Sequence, residues 1–239
     1  MSDTIFLEKC QTYIDCHSKP ALRRGRTRFD RAPSVTVSRQ CGAGGLTMAE
    51  ALAAWLQAHA PKSACPWTVF HKNLVHKVLQ EHHLPERLAQ YMPEDKVSGI
   101  ADAVEELLGL HPPSWKLVRQ TTETILQLAE LGRAIIVGRA GNVITKGLSN
   151  VFHVRLVGSL DRRAKRIMAL HKIDHRAAVA FTKKSDSGRK RYVRRYYQQD
   201  IDDPLLYDLV INSDSVGENL AAELVGRAVL QNFGAALDS

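Results

Sequence analysis

The sequence predicts an α/β fold in which a five-stranded parallel sheet carries helices on both faces. Short runs of β-branched and apolar residues alternate with amphipathic helical stretches, a pattern typical of βαβ units. The chain has 239 residues, 44% hydrophobic and 24% charged, which is enough to bury one sizeable core with a smaller attached lobe. A glycine-rich turn joins the first strand to the first helix, as expected at the start of such a unit.

The predicted elements follow one another from residue 34. Strands are expected at 34–38, 68–70, 134–137, 151–157 and 209–212. Helices are expected at 47–58, across 73–131 with breaks at prolines, at 160–171, and after Ser215. Gly132 is a natural stop for the second helical region.

Local signals predict how the helices begin and which side faces the core. Ser159 is expected to cap the helix at 160–171, and Ser215 with Glu218 has the spacing of a capping box for the last helix. Helical periodicity predicts three buried faces, formed by Met48, Leu52, Trp55 and Leu56, by Val118, Thr121, Ile125 and Leu128, and by Leu220, Leu224 and Ala228.

Charge divides the chain into regions. The net charge is +8, but residues 162–195 alone carry 13 basic and two acidic residues, whereas residues 80–131 carry nine acidic and four basic ones. We therefore predict an N-terminal extension over 1–33, with a short helix at 3–16 and a basic linker, followed by one domain over 34–235. Within that domain, 73–131 is a helical insertion and 172–203 is a basic one.

Composition excludes several classes of protein. No stretch has the roughly 20 uninterrupted apolar residues that span a bilayer, and the N-terminus lacks a signal sequence, so a cytoplasmic protein with no membrane partner is expected. The four cysteines, Cys10, Cys16, Cys41 and Cys65, are too few and too irregularly spaced for a disulfide scaffold or a zinc site. We expect reduced thiols.

The glycine-rich segment 37–47 is the first candidate site. Its glycines allow the backbone to wrap around an anion, and amides at a helix start point at it, so phosphate is the natural guest. The alternative is a tight turn in which Thr47 and Glu50 form a capping box, which makes Thr47 structural rather than a magnesium ligand.

Arg139 directly follows the third strand and is the second candidate. Carboxyl ends of parallel strands line one crevice, so its guanidinium is expected to face the same cleft as the glycine-rich segment and to bind phosphate. The alternative is an ion pair with a structural carboxylate.

The basic run 183–197 is the third candidate. Its repelling cations favour a closed arrangement around an anion, with Gly188 as a hinge between two helical stretches. One alternative is a solvated helical face with Tyr192 and Tyr196 packed inward. Another is a nucleic-acid patch with interleaved tyrosines, which ranks last because the chain is polarised in charge rather than uniformly basic.

Several motifs together resemble the cytidylate kinase-like family over about residues 34–230. They are Ser38-Arg-Gln-x-Gly-x-Gly44, Thr68-Val-Phe-His-Lys-Asn-Leu-Val75, Leu84-Pro-Glu-Arg87, Met92-Pro-Glu-Asp95, Leu108-Gly-Leu-His-Pro-Pro-Ser-Trp115, Val137-Gly-Arg-Ala-Gly-Asn142, Val151-Phe-His-Val-Arg155 and the segment 202–212. The resemblance implies a three-layer P-loop fold with a monophosphate-binding insertion and a lid, which coincide with the two insertions above.

The resemblance also implies roles for individual residues. The donor triphosphate of ATP would lie on Gly42, Ala43, Gly44, Gly45, Leu46 and Thr47, with Mg²⁺ on Thr47. The acceptor phosphate would lie on Arg139, and the lid would contribute Asp186, Arg189 and Arg191.

The sequence also departs from the family pattern. Gly44-Gly45 replaces the usual Gly-Lys, as in a branch of the family that generally lacks this lysine, so Arg39 or a lid cation is the expected substitute. Ala140 replaces the aspartate of the Gly-Arg-Asp motif, and Lys183 and Ser187 stand where arginine is usual.

Two functions follow from the resemblance and its gaps. The first is ATP-dependent phosphoryl transfer to a nucleoside monophosphate or a similar small phosphorylated acceptor, with ATP and Mg²⁺ as cofactors. The second is a catalytically impaired module that senses a nucleotide or docks on another protein. Neither the acceptor nor the oligomeric state follows from the sequence.

Overall fold

Five parallel strands form one sheet, as predicted. The computed structural model describes residues 12–13, 16, 32–60, 65–71 and 113–237. The strands are β1 (Ser34–Arg39), β2 (Thr68–Phe70), β3 (Ala134–Val137), β4 (Val151–Val157) and β5 (Leu209–Asn212), in the spatial order β2-β3-β1-β4-β5. Every neighbouring pair is parallel, and β1 lies between β3 and β4 at the centre.

Helices connect these strands. They are α1 (Gly45–His59), α2 (Pro113–Leu131), α3 (Gly141–Ile144), α4 (Leu160–His171), α5 (His175–Tyr197) and α6 (Glu218–Leu237), with one 3₁₀ turn at Pro204–Leu206. The last part of the predicted helical insertion is therefore helical, and residues 72–112 lie outside the described residues.

The sheet is covered on both faces, which explains the alternation along β1. Val35 and Val37 are buried on the face covered by α1 and α6, where they meet residues such as Leu52 and Val225. The other face packs against α2, where Ile136 of β3 meets Ile125. The predicted core faces of α1 and α2 are confirmed, because Leu52, Leu56, Ile125 and Leu128 are all buried.

The predicted core face of the last helix is wrong. Leu220 and Leu224 are 51% and 44% exposed, and the buried residues of α6 are instead Ala221, Ala222, Val225, Gly226 and Val229. The reason is the close approach of α6 to α1. A Cβ atom on Gly226 would overlap the Trp55 ring, so small residues occupy this contact and the leucines face outward.

Three predicted side-chain caps are absent. Ser159 stands at the N-cap of α4 but makes no side-chain cap bond, and its own N–H donates to Asp214 Oδ2 at 2.8 Å. Helix α6 begins at Glu218, too late for Ser215 to be its cap. Helix α1 begins at Gly45 with Gly44 as its N-cap, so Thr47 and Glu50 form no capping box. In α1 the left-handed backbone of Gly44, with φ of 80°, starts the helix early.

The basic insertion is one continuous helix. Helix α5 runs for 23 residues through Gly188, which is buried, so the predicted hinge between two helices is wrong. Asp174 caps the helix by accepting a hydrogen bond from the Ala177 N–H at 2.9 Å. The inward packing of the tyrosines is confirmed, since the rings of Tyr192 and Tyr196 lie 5.1 Å apart against α2 and α3.

The expectation of reduced thiols is wrong for two of the cysteines. Cys16 and Cys65 form a disulfide with their Cα atoms 5.6 Å apart, and Cys41 is a free, buried thiol. The pairing arises because Tyr13 and Cys16 lie against the core. Tyr13 is fully buried, and its hydroxyl donates to the Gly132 carbonyl at 2.6 Å. The chain positions of cysteines give no sign of such proximity, and Cys10 lies outside the described residues.

Candidate active site

The candidate site lies at the carboxyl ends of β1 and β3. The chain leaves β1 toward β2 on one side of the sheet and leaves β3 toward β4 on the other. A crevice forms where parallel strands diverge in this way, and ligands of open α/β sheets bind there. The segments that follow β1 and β3 are therefore brought together, as the sequence predicts.

The glycine loop, residues 40–45, wraps tightly between β1 and α1. Gly42 and Gly44 have φ values of 77° and 80°, a conformation that a side chain would strain. The Ala43 N–H donates to the Gln40 carbonyl at 3.1 Å, which closes the turn. No side chain caps α1, so the amides of its first turn, which have no partner within the helix, remain available to an anion.

Arginines lie against the backbone of this loop. A Cβ atom on Gly45 would come within 2.8 Å of Arg39 Cγ, so a lysine at this position would displace Arg39. Arg166 Nη1 donates to the Gly42 carbonyl at 2.9 Å, and its Nη2 pairs with Glu218 Oε1 at 2.6 Å. The loop thus lacks a lysine of its own and has arginines beside it.

Asp186 joins helix α5 to the glycine loop. Its Oδ1 accepts a hydrogen bond from the Cys41 N–H at 2.6 Å, and its Oδ2 accepts from Arg163 Nη1 at 2.6 Å. Arg163 is buried and also donates to the Cys41 carbonyl at 3.0 Å. Arg189 approaches Asp186 at 3.3 Å. This carboxylate positions the loop and two arginines.

Three successive residues after β3 have left-handed backbone. The φ values are 81° for Gly138, 57° for Arg139 and 56° for Ala140. Left-handed residues other than glycine cost on the order of 1 kcal/mol each, and such strain is concentrated at functional sites. The turn is closed by the Gly141 N–H, which donates to the Gly138 carbonyl at 3.0 Å.

Arg139 lies beside a narrow cavity that we call the arginine cavity. Arg39 at the end of β1, Arg139 after β3 and Arg189 on α5 all line it, together with Ser38, Asn142 and Tyr192. The sequence predicts a role for each of these three arginines, and the structure brings them together.

A central cavity of about 150 Å³ lies between Arg39, Gln40 and helix α5. Arg155 of β4 lines it, although its side chain is only 5% exposed, and pairs with Asp202 Oδ1 at 2.6 Å. Its Nη1 also donates to Ser38 Oγ at 2.9 Å. A hydrogen bond to Asp202, 3.1 Å from Lys190 Nζ, raises the pKa of Lys190.

Sequence reasoning gave Arg155 no role, although a signal was present. An arginine inside an otherwise apolar strand is buried, and a buried cation needs a carboxylate partner. The carboxylate that pairs with it, Asp202, lies 47 residues later in the chain, so the sequence alone does not single it out.

The wide cleft, of about 550 Å³, opens on the other side of the glycine loop. It is lined by Gly42, by Arg162, Arg163, Lys165 and Arg166 of α4, and by Asp161, Ser213 and Asp214. Hydrogen bonds from Ser159 lower the pKa of Asp214, one of these lining residues. The volume of the wide cleft falls within the range of small-molecule sites.

The remaining predicted residues are more peripheral. Thr47 is exposed on the first turn of α1, and Leu46 is 39% exposed. Arg191 and Lys183 are exposed on α5 and line none of these three cavities, whereas Ser187 lines the central one. Among the described residues there is no cluster of three or more His, Cys, Asp or Glu that could hold a metal, and no helix there is suited to cross a membrane.

Comparisons with known proteins bear on the fold and the family. The sequence profile of the cytidylate kinase-like family matches residues 34–215. A uronate isomerase from Corynebacterium glutamicum is 27% identical over 110 residues, which cover 46% of this chain and 21% of that protein. The chain thus spans about a fifth of the length of this curated relative.

A solved structure shares the fold. An uncharacterized protein from Eubacterium ventriosum aligns with a TM-score of 0.58 at 20% identity, over 82% of this chain and 98% of the other. A shikimate kinase from Bacteroides thetaiotaomicron aligns with a TM-score of 0.44 at 12% identity, over 83% and 97% of the two chains.

Proposed function

Because the chain belongs to the cytidylate kinase-like family, we propose that it transfers the γ-phosphoryl group of ATP to a nucleoside monophosphate or a similar small phosphorylated acceptor. One observation carries the proposal. Arginines from three different elements, Arg39, Arg139 and Arg189, surround one cavity beside a glycine loop. Such an arrangement suits an acceptor phosphate that must be held next to the phosphates of a donor.

The donor triphosphate is assigned to the glycine loop. The uncapped first turn of α1 supplies amides, and Arg166, held against Gly42, supplies positive charge. The wide cleft beside Gly42 has the volume for the rest of the nucleotide. Mg²⁺ fits less fully, since Thr47 offers one exposed hydroxyl oxygen on this turn; when bound with ATP, the ion would neutralise phosphate charge.

The acceptor phosphate is assigned to the arginine cavity. Its three guanidinium groups donate in planar forks that match phosphate oxygens. Ala140, a small buried residue, lines the same cavity. Because it replaces the family's aspartate, position 140 carries no negative charge that would repel a phosphate.

The transfer needs little covalent help from the protein. An oxygen of the acceptor phosphate attacks the γ-phosphorus, the bond from that phosphorus to the β,γ-bridging oxygen breaks, and ADP leaves with the electron pair. Since the acceptor phosphate is largely ionised at pH 7, no general base is required. The task of the side chains is to hold both groups in line and to stabilise the charge of the transferred group.

Arg39 is the proposed substitute for the missing loop lysine. The aliphatic stem of Arg39 packs on Gly45, and Arg39 lines both the arginine cavity and the central cavity. It therefore lies between the proposed donor and acceptor, where charge develops during transfer.

The test is a search for product. Purified full-length chain is incubated with ATP, Mg²⁺ and a panel of nucleoside monophosphates, and diphosphate formation is measured. We expect turnover with at least one acceptor and a loss of 100-fold or more in Arg139→Ala. Arg227→Ala, which removes an exposed arginine on α6, is the matched control. Equal rates in the two variants would contradict the assigned role of Arg139.

The second candidate function is nucleotide sensing or protein docking without catalysis. The observation in its favour is that Asp186 already occupies the Cys41 amide and Glu218 already pairs with Arg166, so the glycine loop is partly satisfied without a ligand. A rise in Tm with ATP, accompanied by no diphosphate formation with any acceptor, would favour this function over the first.

A further inference from the structure

One buried polar group at the candidate site has no partner. Asn142, the second residue of α3, is only 5% exposed, and its Nδ2 makes no hydrogen bond within the described part of the chain. The residue lines the arginine cavity. Buried amide donors are nearly always satisfied because an unmade hydrogen bond destabilises the fold, so an exception at a cavity points to a missing ligand.

The chemistry of the cavity restricts that ligand. Arg39, Arg139 and Arg189 carry only donors, and the lining residues that the structure describes include no aspartate or glutamate. Ser38 Oγ already accepts from Arg155. A ligand atom that satisfies Asn142 Nδ2 in this setting must be a hydrogen-bond acceptor, and a negative charge on it is favoured by the arginines.

The size of the cavity restricts the ligand further. About 20 Å³ is free, which is room for one water-sized group. A nucleobase ring does not fit in this space, and the exocyclic amino group of cytosine would bring a donor against donors. One oxygen of a phosphoryl group fits in both size and polarity.

The backbone holds Asn142 in place beside Arg139. The left-handed turn over Gly138–Ala140 leads directly into α3, whose Thr145 hydroxyl donates to the Gly141 carbonyl at 2.7 Å. Asn142 and Arg139 therefore lie three residues apart on one constrained segment, and their positions relative to each other are fixed before any ligand binds.

We propose that Asn142 donates a hydrogen bond from its side-chain amide to an oxygen of the acceptor's phosphoryl group, and so helps to select a phosphate monoester as the acceptor. This inference rests on the proposed function, since it concerns the acceptor side of the same site. The neutral side-chain amide of Asn142 would then share the recognition of the acceptor phosphate with the three arginines.

The test follows the amide itself. The ¹⁵N-labelled full-length chain is titrated with inorganic phosphate, and the Asn142 side-chain signals are identified by their absence in Asn142→Leu. We expect these signals to move along the same binding curve as the backbone amides of Arg139 and Ala140. Phosphate bound elsewhere, for example at the glycine loop, would leave them unmoved. Calorimetric binding without movement of the Asn142 signals, or no binding at all, would overturn the inference.

Two variants separate a role in binding from a role in folding. Asn142→Leu keeps the approximate shape but removes the donor, and Asn142→Asp replaces it with an acceptor. We expect phosphate binding to weaken roughly tenfold in the first variant and more in the second. We also expect the Tm of ligand-free Asn142→Leu to be unchanged or raised, because an unsatisfied buried group is removed.

Asn232→Asp is the control, because it makes the same chemical change at an exposed position far along α6. If Asn142 has only a structural role, Asn142→Leu will lower the Tm and leave phosphate binding in the folded protein unchanged, which overturns the inference. Turnover is measured separately. A chain that binds phosphate through Asn142 but forms no diphosphate supports the inference while the proposed transfer reaction fails.

Discussion

At the scale of single residues, the candidate site depends on backbone conformations that few side chains tolerate. Gly42 and Gly44 adopt left-handed backbone in the glycine loop, and Arg139 and Ala140 do so after β3. In the loop, glycine also permits close approach, because Arg166 and Glu218 lie against Gly44. The glycine loop thus adopts its conformation because Gly42 and Gly44 have no side chains. The turn after β3 adopts a similar backbone conformation at the cost of strain in Arg139 and Ala140.

The first prediction concerns Gly44. Gly44→Ala introduces strain at a φ of 80° and puts a Cβ within 2.8 Å of Arg166 Nη1. We expect a loss of about 1 to 2 kcal/mol in the free energy of unfolding, measured by urea denaturation. Gly147→Ala is the control, because a Cβ there meets nothing within 4 Å. Equal stability of the two variants would show that the loop conformation is not constrained.

His153 of β4 gives a prediction about pH. Burial lowers the pKa of His153 below its ordinary value of 6.5, although the nearby Asp208 partly opposes this shift. The neutral ring, which shares a hydrogen bond of 2.8 Å with Thr36 Oγ1, is therefore favoured in the folded chain. The unfolded chain binds a proton more readily, so stability is full above about pH 6.5 and decreases as the pH falls toward the folded value.

Between pH 7 and pH 5, we expect the free energy of unfolding to decrease less steeply with falling pH in His153→Gln than in the wild type. His171→Gln, which removes an exposed ring, is the control. Parallel curves for the wild type and His153→Gln would contradict the prediction.

At the scale of elements, α5 is fastened to the glycine loop through one carboxylate. Asp186 binds the Cys41 N–H and two arginines, one of which, Arg163, has a side chain only 8% exposed. A buried guanidinium that loses its carboxylate retains the cost of its desolvation. The basic helix is therefore part of the site before any nucleotide is present, and its charge is partly compensated.

The third prediction tests this connection. Asp186→Asn should lower the free energy of unfolding by about 2 kcal/mol, because Arg163 loses its ionic partner, and should speed hydrogen exchange at the Cys41 amide. Asp161→Asn breaks an exposed pair with Lys165 and should leave the free energy of unfolding nearly unchanged. Unchanged exchange at Cys41 in Asp186→Asn would mean that the carboxylate does not secure the loop.

At the scale of the whole molecule, the N-terminal segment is tied to the core at two points. Tyr13 is buried edge-on against Phe70, with ring centroids 5.1 Å apart, and Cys16 is bonded to Cys65 across 49 residues. Disulfides persist in oxidising compartments and are rare in the cytoplasm. The Cys16–Cys65 disulfide is favoured by oxidising conditions, whereas the predicted cytoplasmic location would expose it to reducing ones.

The fourth prediction concerns that bridge. Reduction should lower the free energy of unfolding by about 2 to 4 kcal/mol, since the unfolded chain is no longer closed into a loop. The measurement is chemical denaturation with and without a reductant. Cys16→Ser should have the stability of the reduced wild type and should not respond to the reductant. A wild type that is equally stable in both conditions would contradict the prediction.

The sheet was predictable because its strands are short, apolar and separated by helical periodicity. The approach of the segments after β1 and β3 follows from parallel topology, because carboxyl ends of parallel strands meet at one edge, but the order in which the strands pair does not. The errors have a common cause, which is that tertiary contacts decide between local alternatives. Close packing of Gly226 on Trp55 turned Leu220 outward, and the fold of the N-terminal segment brought Cys16 to Cys65.

The candidate site was predictable only in part. The glycines and Arg139 could be selected by residue type and by position after strands, whereas Arg39 and Arg189 were selected through the family resemblance. The internal role of Asp186, the buried network of Arg155 and the unsatisfied amide of Asn142 depend on distances between residues far apart in sequence. No local pattern encodes those distances.

The most direct test of the proposed function is the rate of phosphoryl transfer in Arg39→Met. This variant keeps the apolar stem that covers Gly45 but removes the charge between the proposed donor and acceptor. With the best acceptor from the panel, kcat should fall by 100-fold or more while the Tm stays within a few degrees of the wild type. Wild-type kcat in Arg39→Met, or no transfer by the wild type to any acceptor, would contradict the account.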